Sequence, residues 1–258
     1  MASSGNAENL EEAYSKLSLE NGDEDFGLVL EDVPENSVKQ DYNRCLVGRF
    51  LTNRKVNFMA MQDTLASIWR PVKGVFMEET DQPNIFLFKF FHDLDMQRVL
   101  NDGPWTFNQQ VLLIKRLNVD EQLKDIKLSE LYIWVQIYDV PLGFKSEYVL
   151  KSIGNYVGRF LESDSKNFER MGRNYLRIMV AIDVMKPLKS KMRIKKAGDD
   201  WMWFQFKYER LPSFCFFCGL IGHTEKFCEA LFDNPQGTEI RNYDGSLRAT
   251  MRKQSISA

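Results

Sequence analysis

An α+β architecture follows from three features of this 258-residue chain. Short runs with period-two alternation are interleaved with stretches of helical period, clusters of Pro, Gly, Asn and Asp punctuate them, and Cys and His gather near the C-terminus. The reading is a ferredoxin-like β-α-β-β-α-β unit over 41–118, a second α+β unit with a basic hairpin over 129–211, and a metal-held module over 212–231. An acidic disordered arm (1–40) and a disordered tail (232–258) flank them.

In the first unit, Cys45 to Leu51 reads as a strand. Asn57 to Trp69 is a helix whose Phe58, Met61 and Leu65 share one face, ended by Pro71. Val72 to Glu78 and Ile85 to Phe91 are strands joined through Asp81, Pro83 and Asn84. Asp93 to Leu100 is a second helix with Asp93 as its N-cap, and Gln109 to Leu117 a last strand. Phe86, Phe88 and Phe90 alternate as core residues do, a better account of them than base-stacking rings.

The polar segment Asn118 to Leu128 links to the second unit. There Leu131 to Tyr138 is a strand, Ser146 to Tyr156 a helix, and Gly158 to Glu162 and Leu176 to Val184 are strands. The order then departs from that of the first unit: Leu188 to Lys196 and Trp201 to Tyr208 form a hairpin around Ala197-Gly198-Asp199-Asp200.

Composition limits the function. The overall charge of −2 averages an arm of eleven acidic and three basic residues (1–44, net −8) with a body of net +6, a balance that admits a polyanionic partner. The first ten residues carry no secretory pattern and no apolar run reaches about 18 residues, so an intracellular protein is expected, in nucleus or cytoplasm. No phosphate-cradling glycine loop or nucleophile elbow occurs, and Asp93 with Asp95 and Asp199 with Asp200 fit caps and turns. Enzyme activity is not expected.

Three of the four cysteines and one of the two histidines fall within fourteen residues as Cys215, Cys218, His223 and Cys228, a C-x2-C-x4-H-x4-C spacing. Two thiolates two residues apart reach one ion from a tight turn, and three sulfurs with one imidazole close the tetrahedron that Zn²⁺ prefers. With no position left for water, such a zinc ion is structural, and it supplies the folding energy of a loop too short for a core of its own. Phe216, Phe217, Ile221 and Phe227 surround it, with Lys226 and Arg210 nearby. These rings either stack on unpaired bases or dock on the preceding hairpin; both uses are open. A second basic surface is Lys189, Lys191, Arg193 and Lys195 on one strand face, with Lys196 beside them and Trp201 and Trp203 on the next strand. A basic row beside aromatic rings suits a single-stranded backbone with stacked bases, and also an ordinary solvated face.

The approach Tyr208-Glu209-Arg210-Leu211-Pro212-Ser213-Phe214-Cys215, the Gly103-Pro104-Trp105 turn and the Trp134-Val135-Gln136-Ile137 strand, together with the knuckle, carry a resemblance over roughly residues 40–232. They resemble the plant gag-like family, in which a domain of unknown function precedes a zinc knuckle, similar to the first open reading frame protein of plant non-long-terminal-repeat retrotransposons. The resemblance implies zinc and nucleic-acid binding, with packaging or chaperoning of RNA by analogy. The expected function is therefore binding of single-stranded RNA or DNA with low sequence preference. A gag-type scaffold that self-associates is the alternative.

Overall fold

A computed structural model describes residues 42–118, 121–169, 173–233 and 241–250. The expected acidic arm (1–40) lies outside the described residues, as do 119–120 of the linker, 170–172, and 234–240 and 251–258 of the expected tail.

Two five-stranded antiparallel sheets carry the described chain. The first holds β1 (Cys45–Phe50), β2 (Val75–Glu79), β3 (Ile85–Phe90), β4 (Trp105–Phe107) and β5 (Gln110–Arg116), in the order β2-β3-β1-β5-β4. Helices α1 (Phe58–Trp69) and α2 (Asp93–Asn101) cover one face. Period two sends Leu46, Phe50, Phe86, Phe88, Phe90, Leu112 and Ile114 to that face, where they enclose Met61, Leu65 and Trp69 of α1 and Met96 and Val99 of α2. Trp69 meets Phe88 edge-on with ring centroids 5.1 Å apart.

The opposite parity of the same strands is buried too. Cys45, Val47, Val111 and Leu113 belong to a larger cluster that runs through Leu117, Ile126 and Leu128 into Leu131, Ile133, Val135 and Ile137 of the second sheet. The polar linker of the sequence reading therefore supplies core residues, and the first sheet has apolar packing on both faces.

The second sheet holds β6 (Glu130–Tyr138), β7 (Arg159–Ser163), β8 (Tyr175–Asp183), β9 (Lys191–Ile194) and β10 (Met202–Tyr208), in the order β7-β8-β6-β10-β9. Helix α3 (Glu147–Val157) buries Leu150, Ile153 and Val157 in the shared cluster with Ile178, Val180, Phe204 and Phe206. Strand for strand, this is the order of the first sheet. The expected departure of the second unit is smaller than the sequence suggests, because the first unit also ends in a hairpin. Its β4 escaped the sequence reading: Asn108 (φ 48°) and Gln109 (φ 64°) form a two-residue left-handed turn without the usual glycine. Among the described residues the second unit has no counterpart of α2; a turn closed by Lys186 N donating to Asp183 O at 3.0 Å, then 187–190 without regular structure, stand in its place.

Three local corrections have clear causes. The N-cap of α2 is His92, whose Nδ1 accepts from the Leu94 amide at 3.1 Å, while Asp93 pairs with Arg44 at 3.2 Å. Asp95 is buried, and its two oxygens accept from the amides of Val72 (3.0 Å) and Lys73 (2.9 Å), fixing the turn from α1 into β2. Residues 241–250 of the expected tail pack on the body: Leu247 is buried, Ala249 N donates to Tyr208 O at 2.9 Å, and Arg248 bridges beside Tyr208. Among the described residues no helix is long and apolar enough to cross a membrane.

The Lys73 amide foremost, then that of Val72, outweigh burial and hold the Asp95 carboxyl below its usual range. Its stabilising contribution is present above the unfolded carboxyl pKa and is lost as pH falls through the folded one. Asp95→Ala leaves two amides without their acceptor and is expected to cost about 1–3 kcal/mol in urea unfolding near neutral pH. The deficit relative to the wild type should shrink below about pH 4.

Candidate metal centre and nucleic-acid face

The segment after β10 folds back on itself. Phe214 and Ile221 form an antiparallel bridge, Cys215 N donates to Leu220 O at 2.9 Å, and Gly219 N to Cys215 O at 2.9 Å. Gly219 (φ 75°) and Gly222 (φ 100°) occupy the left-handed region, where a side chain would be strained, and a Cβ on Gly222 would lie 2.6 Å from Leu51 Cδ2 of the first unit. This turn brings the sulfurs of Cys215, Cys218 and Cys228 and a ring nitrogen of His223 within 4.8 Å of one another, with Cys218 Sγ 3.3 Å from His223 Nε2.

These four donors fit a structural zinc ion. Tetrahedral edges built on Zn–S and Zn–N bonds of ~2.0–2.3 Å measure roughly 3.3–3.8 Å, so small side-chain shifts close the set on the metal. Burial foremost, then hydrogen bonding to the neighbouring thiols, pushes the Cys218 thiol up to about 12. Without a cation the Cys218 thiol therefore stays protonated, and a dication would reverse that balance by taking it as the thiolate.

The module is docked on the body. Leu188 N donates to Gly219 O at 3.0 Å, Tyr243 N to Phe216 O at 3.0 Å, and Arg248 Nη2 to Pro212 O at 3.3 Å. Phe214 and Ile221 lie in the shared core, and the Phe216 ring meets that of Phe214 at 5.1 Å between centroids, tilted by 56°. Ile221 is thus no displayed contact, contrary to expectation, because its bridge to Phe214 turns it inward. Phe216 and Phe217 are half-buried. Phe227 is exposed, with Lys226 5.8 Å from its ring. Arg210 (φ 50°) sits 5.6 Å from the Trp105 ring and hydrogen-bonds Asp102 O, so it ties the second unit to the first.

The hairpin sorts its cations onto two sides. Lys191 stands 4.9 Å from the Trp203 ring, and Arg193 and Lys195 stand 4.7 and 5.1 Å from that of Trp201. Both tryptophans are about half exposed, at 52% and 53%. Lys189 departs from the expected row because the Tyr208 hydroxyl donates to its carbonyl (2.7 Å) and accepts from its amide (3.2 Å), which keeps it out of β9. Its ammonium lies 5.6 Å from the ring of Tyr156 on α3. Lys196 also turns away, 5.0 Å from the buried Phe144 ring.

The outer face of the second sheet carries residues the sequence reading missed. Register places Lys191, Gln205, Tyr138 and Tyr175 in one row across β9, β10, β6 and β8. Lys207 stands 5.0 Å from the Tyr138 ring. A groove of about 400 Å³ opens at the edge of β10 among Ser190, Lys191, Trp203, Gln205, Lys207 and Ser246. The signal was present in β6, where Tyr132, Trp134, Gln136 and Tyr138 alternate with Leu131, Ile133, Val135 and Ile137.

The family described as Zinc knuckle matches residues 182–230, reaching back over the hairpin, and a Domain of unknown function (DUF4283) matches residues 38–125. An uncharacterized protein of Arabidopsis thaliana is 26% identical over 174 residues, which are 63% of this chain and 55% of that protein. The chain thus spans about half the length of this plant relative. Two solved structures align at low similarity. RNA recognition domains 1 and 2 of Sex-lethal from Drosophila melanogaster have a TM-score of 0.26 and 13% identity, covering 54% of this chain and 85% of that one. The first two RRM domains of the yeast poly(U) binding protein Pub1 have a TM-score of 0.23 and 12% identity, covering 53% and 82%. The chain carries a DUF4283 region followed by a CCHC zinc knuckle.

Purified under reducing conditions, the chain is expected to hold one zinc ion per molecule by elemental analysis, and Cys228→Ser to lose most of it. Because Leu188 and Tyr243 bond to the knuckle backbone, chelation should raise amide exchange at Gly219 and Tyr243 while leaving the interior of α1 unchanged. Uniform protection of these amides after metal removal would show the fold to be independent of the ion.

Proposed function

We propose that this chain is a non-catalytic, zinc-carrying protein that binds single-stranded RNA or DNA with low sequence preference. The binding surface is the hairpin of the second sheet, and the metal module serves as a clasp. The observation that carries the reading is the interleaving of Lys191, Arg193 and Lys195 with two half-exposed tryptophans. Such a surface offers cations to a phosphate chain and flat rings to unpaired bases, the two contacts that single-strand binding needs irrespective of sequence. Phe227 and Lys226 extend it on the knuckle. We read the first sheet with its two helices as ferredoxin-like, with β4 added at the edge. The order of a DUF4283 region and a knuckle supports gag-like, retrotransposon-derived ancestry.

A second reading, a self-assembling scaffold of gag type, draws on exposed Val72, Phe91 and Leu94 around the start of α2.

Titration of labelled single-stranded RNA at two salt concentrations separates the two. The wild type should bind with an affinity that falls as salt rises, and Lys191→Ala/Arg193→Ala should weaken it at least about tenfold and reduce the log–log salt slope by about 1.4. Equal and negligible binding by both proteins, with mass rising with concentration in light scattering, would support the scaffold instead.

A further inference from the structure

We propose that the nucleic-acid path crosses the second sheet to a second stacking subsite built from Tyr138, Tyr175 and Lys207, ending in a pocket beside Lys145 and Arg173. The proposal rests on the single-strand reading above and extends it to a part of the face that neither the hairpin nor the knuckle reaches.

Geometry supplies the path. Lys191, Gln205, Tyr138 and Tyr175 lie opposite one another on four adjacent strands. At about 4.8 Å per strand the row is roughly 14 Å long, the rise of about four stacked nucleotides. The groove of about 400 Å³ lies at the β9–β10 end. At the other end the rings of Tyr138 and Tyr175 meet at 5.4 Å with a 40° tilt, and a second pocket of about 240 Å³ opens among Asp139, Val140, Pro141, Lys145, Arg173 and Asn174. Tyr175 also lines that pocket, which suits a single base.

Electrostatics favour an anionic chain over this row. The nearby carboxylates have partners: Glu209 accepts from Arg177 at 2.9 Å through each oxygen and from Gln136 Nε2 at 2.8 Å. Asp164 pairs with Arg173 at 3.1 Å and Arg177 at 3.5 Å. Arg177 in turn lies flat on Trp134, 3.6 Å from the ring centre. The centre of the face is thereby neutralised, and Lys191, Lys207 and Lys145 remain as cations along the path. Asp139 at the pocket opposes a phosphate there, so that pocket takes a base while Lys207 meets the backbone. The Tyr138 hydroxyl donates to Gln136 Oε1 at 2.8 Å, which holds the ring in place before any ligand arrives.

The test uses the full, zinc-loaded chain and homopolymeric single-stranded RNA from roughly four to roughly twelve nucleotides, read by anisotropy. Wild-type affinity should rise with length until both ends of the row are engaged. Tyr175→Ala should plateau at a shorter length and bind the longest RNA about 5- to 150-fold more weakly, with Tyr175→Phe restoring it. Lys207→Ala, at a partly exposed position, should weaken the same long RNA and lower the salt slope by about 0.7, and it decides the matter if Tyr175→Ala fails to fold. If both variants match the wild type at every length while Trp203→Ala weakens binding, the path ends at the hairpin and this proposal fails alone. If the wild type binds no single strand, the underlying reading fails with it.

Discussion

The continuous apolar core between the two sheets is the constraint on which the remaining structure depends. Val47 and Leu113 of the first sheet, Ile126 and Leu128 of the linker, and Ile133 and Val135 of the second sheet form one buried cluster. Burying apolar area on both faces of the first sheet gains more than a solvated face would, at about 25 cal/mol per Å². It also removes that sheet from any ligand. Phe86, Phe88 and Phe90 point to the helices, while their neighbours Ile85 and Leu87 join or pack against the shared core. The polymer partner proposed above is left with the outer face of the second sheet and its hairpin.

The same core reaches the knuckle through Phe214 and Ile221. A loop of this size ordinarily floats beside its domain, tied only by chain connectivity. Here Leu51 approaches Gly222 and the segment around Tyr243 packs on Gly219 and Phe216, so an ion held by the knuckle would also steady the residues of each unit that touch it. The rings that a free knuckle would present to bases are divided accordingly: Phe216 contributes to packing, and Phe227 stays outside.

Much of this was legible in the sequence because it depends on local periodicity. The four ligands, the alternating strands and the two helices of the first unit follow from spacing and parity. Other features escaped because tertiary partners decide them. Lys189 has the parity of Lys191, yet the Tyr208 hydroxyl takes its backbone groups and sends its side chain over Tyr156. The β4 strand is three residues long and turns through Asn108-Gln109, a pair with weak turn character. Residues 241–250 are polar on the whole and read as tail, but Leu247 finds a buried place and Arg248 spans the carbonyls that precede the knuckle. The aromatic outer parity of β6 was readable and was passed over because its inner parity is so strongly apolar.

The central network of the outer face explains how a sheet can present a row of cations without being basic throughout. Arg177, Glu209, Gln136 and Asp164 sit where the sheet is most enclosed, and each charge there has a hydrogen-bonded partner. An unpaired lysine at the position of Arg177 would lose solvation without compensation, whereas a planar guanidinium can lie on Trp134 and grip Glu209 with two bonds. Pairing in the middle leaves Lys191, Arg193, Lys195 and Lys207 as the cations of the rim, beside the rings of Trp203, Trp201 and Tyr138, where water screens them. Rim cations accelerate encounter and weaken with salt, and the rings between them set how the chain lies once bound. The low sequence preference proposed above rests on that division, since neither phosphate contacts nor stacking distinguishes one base from another.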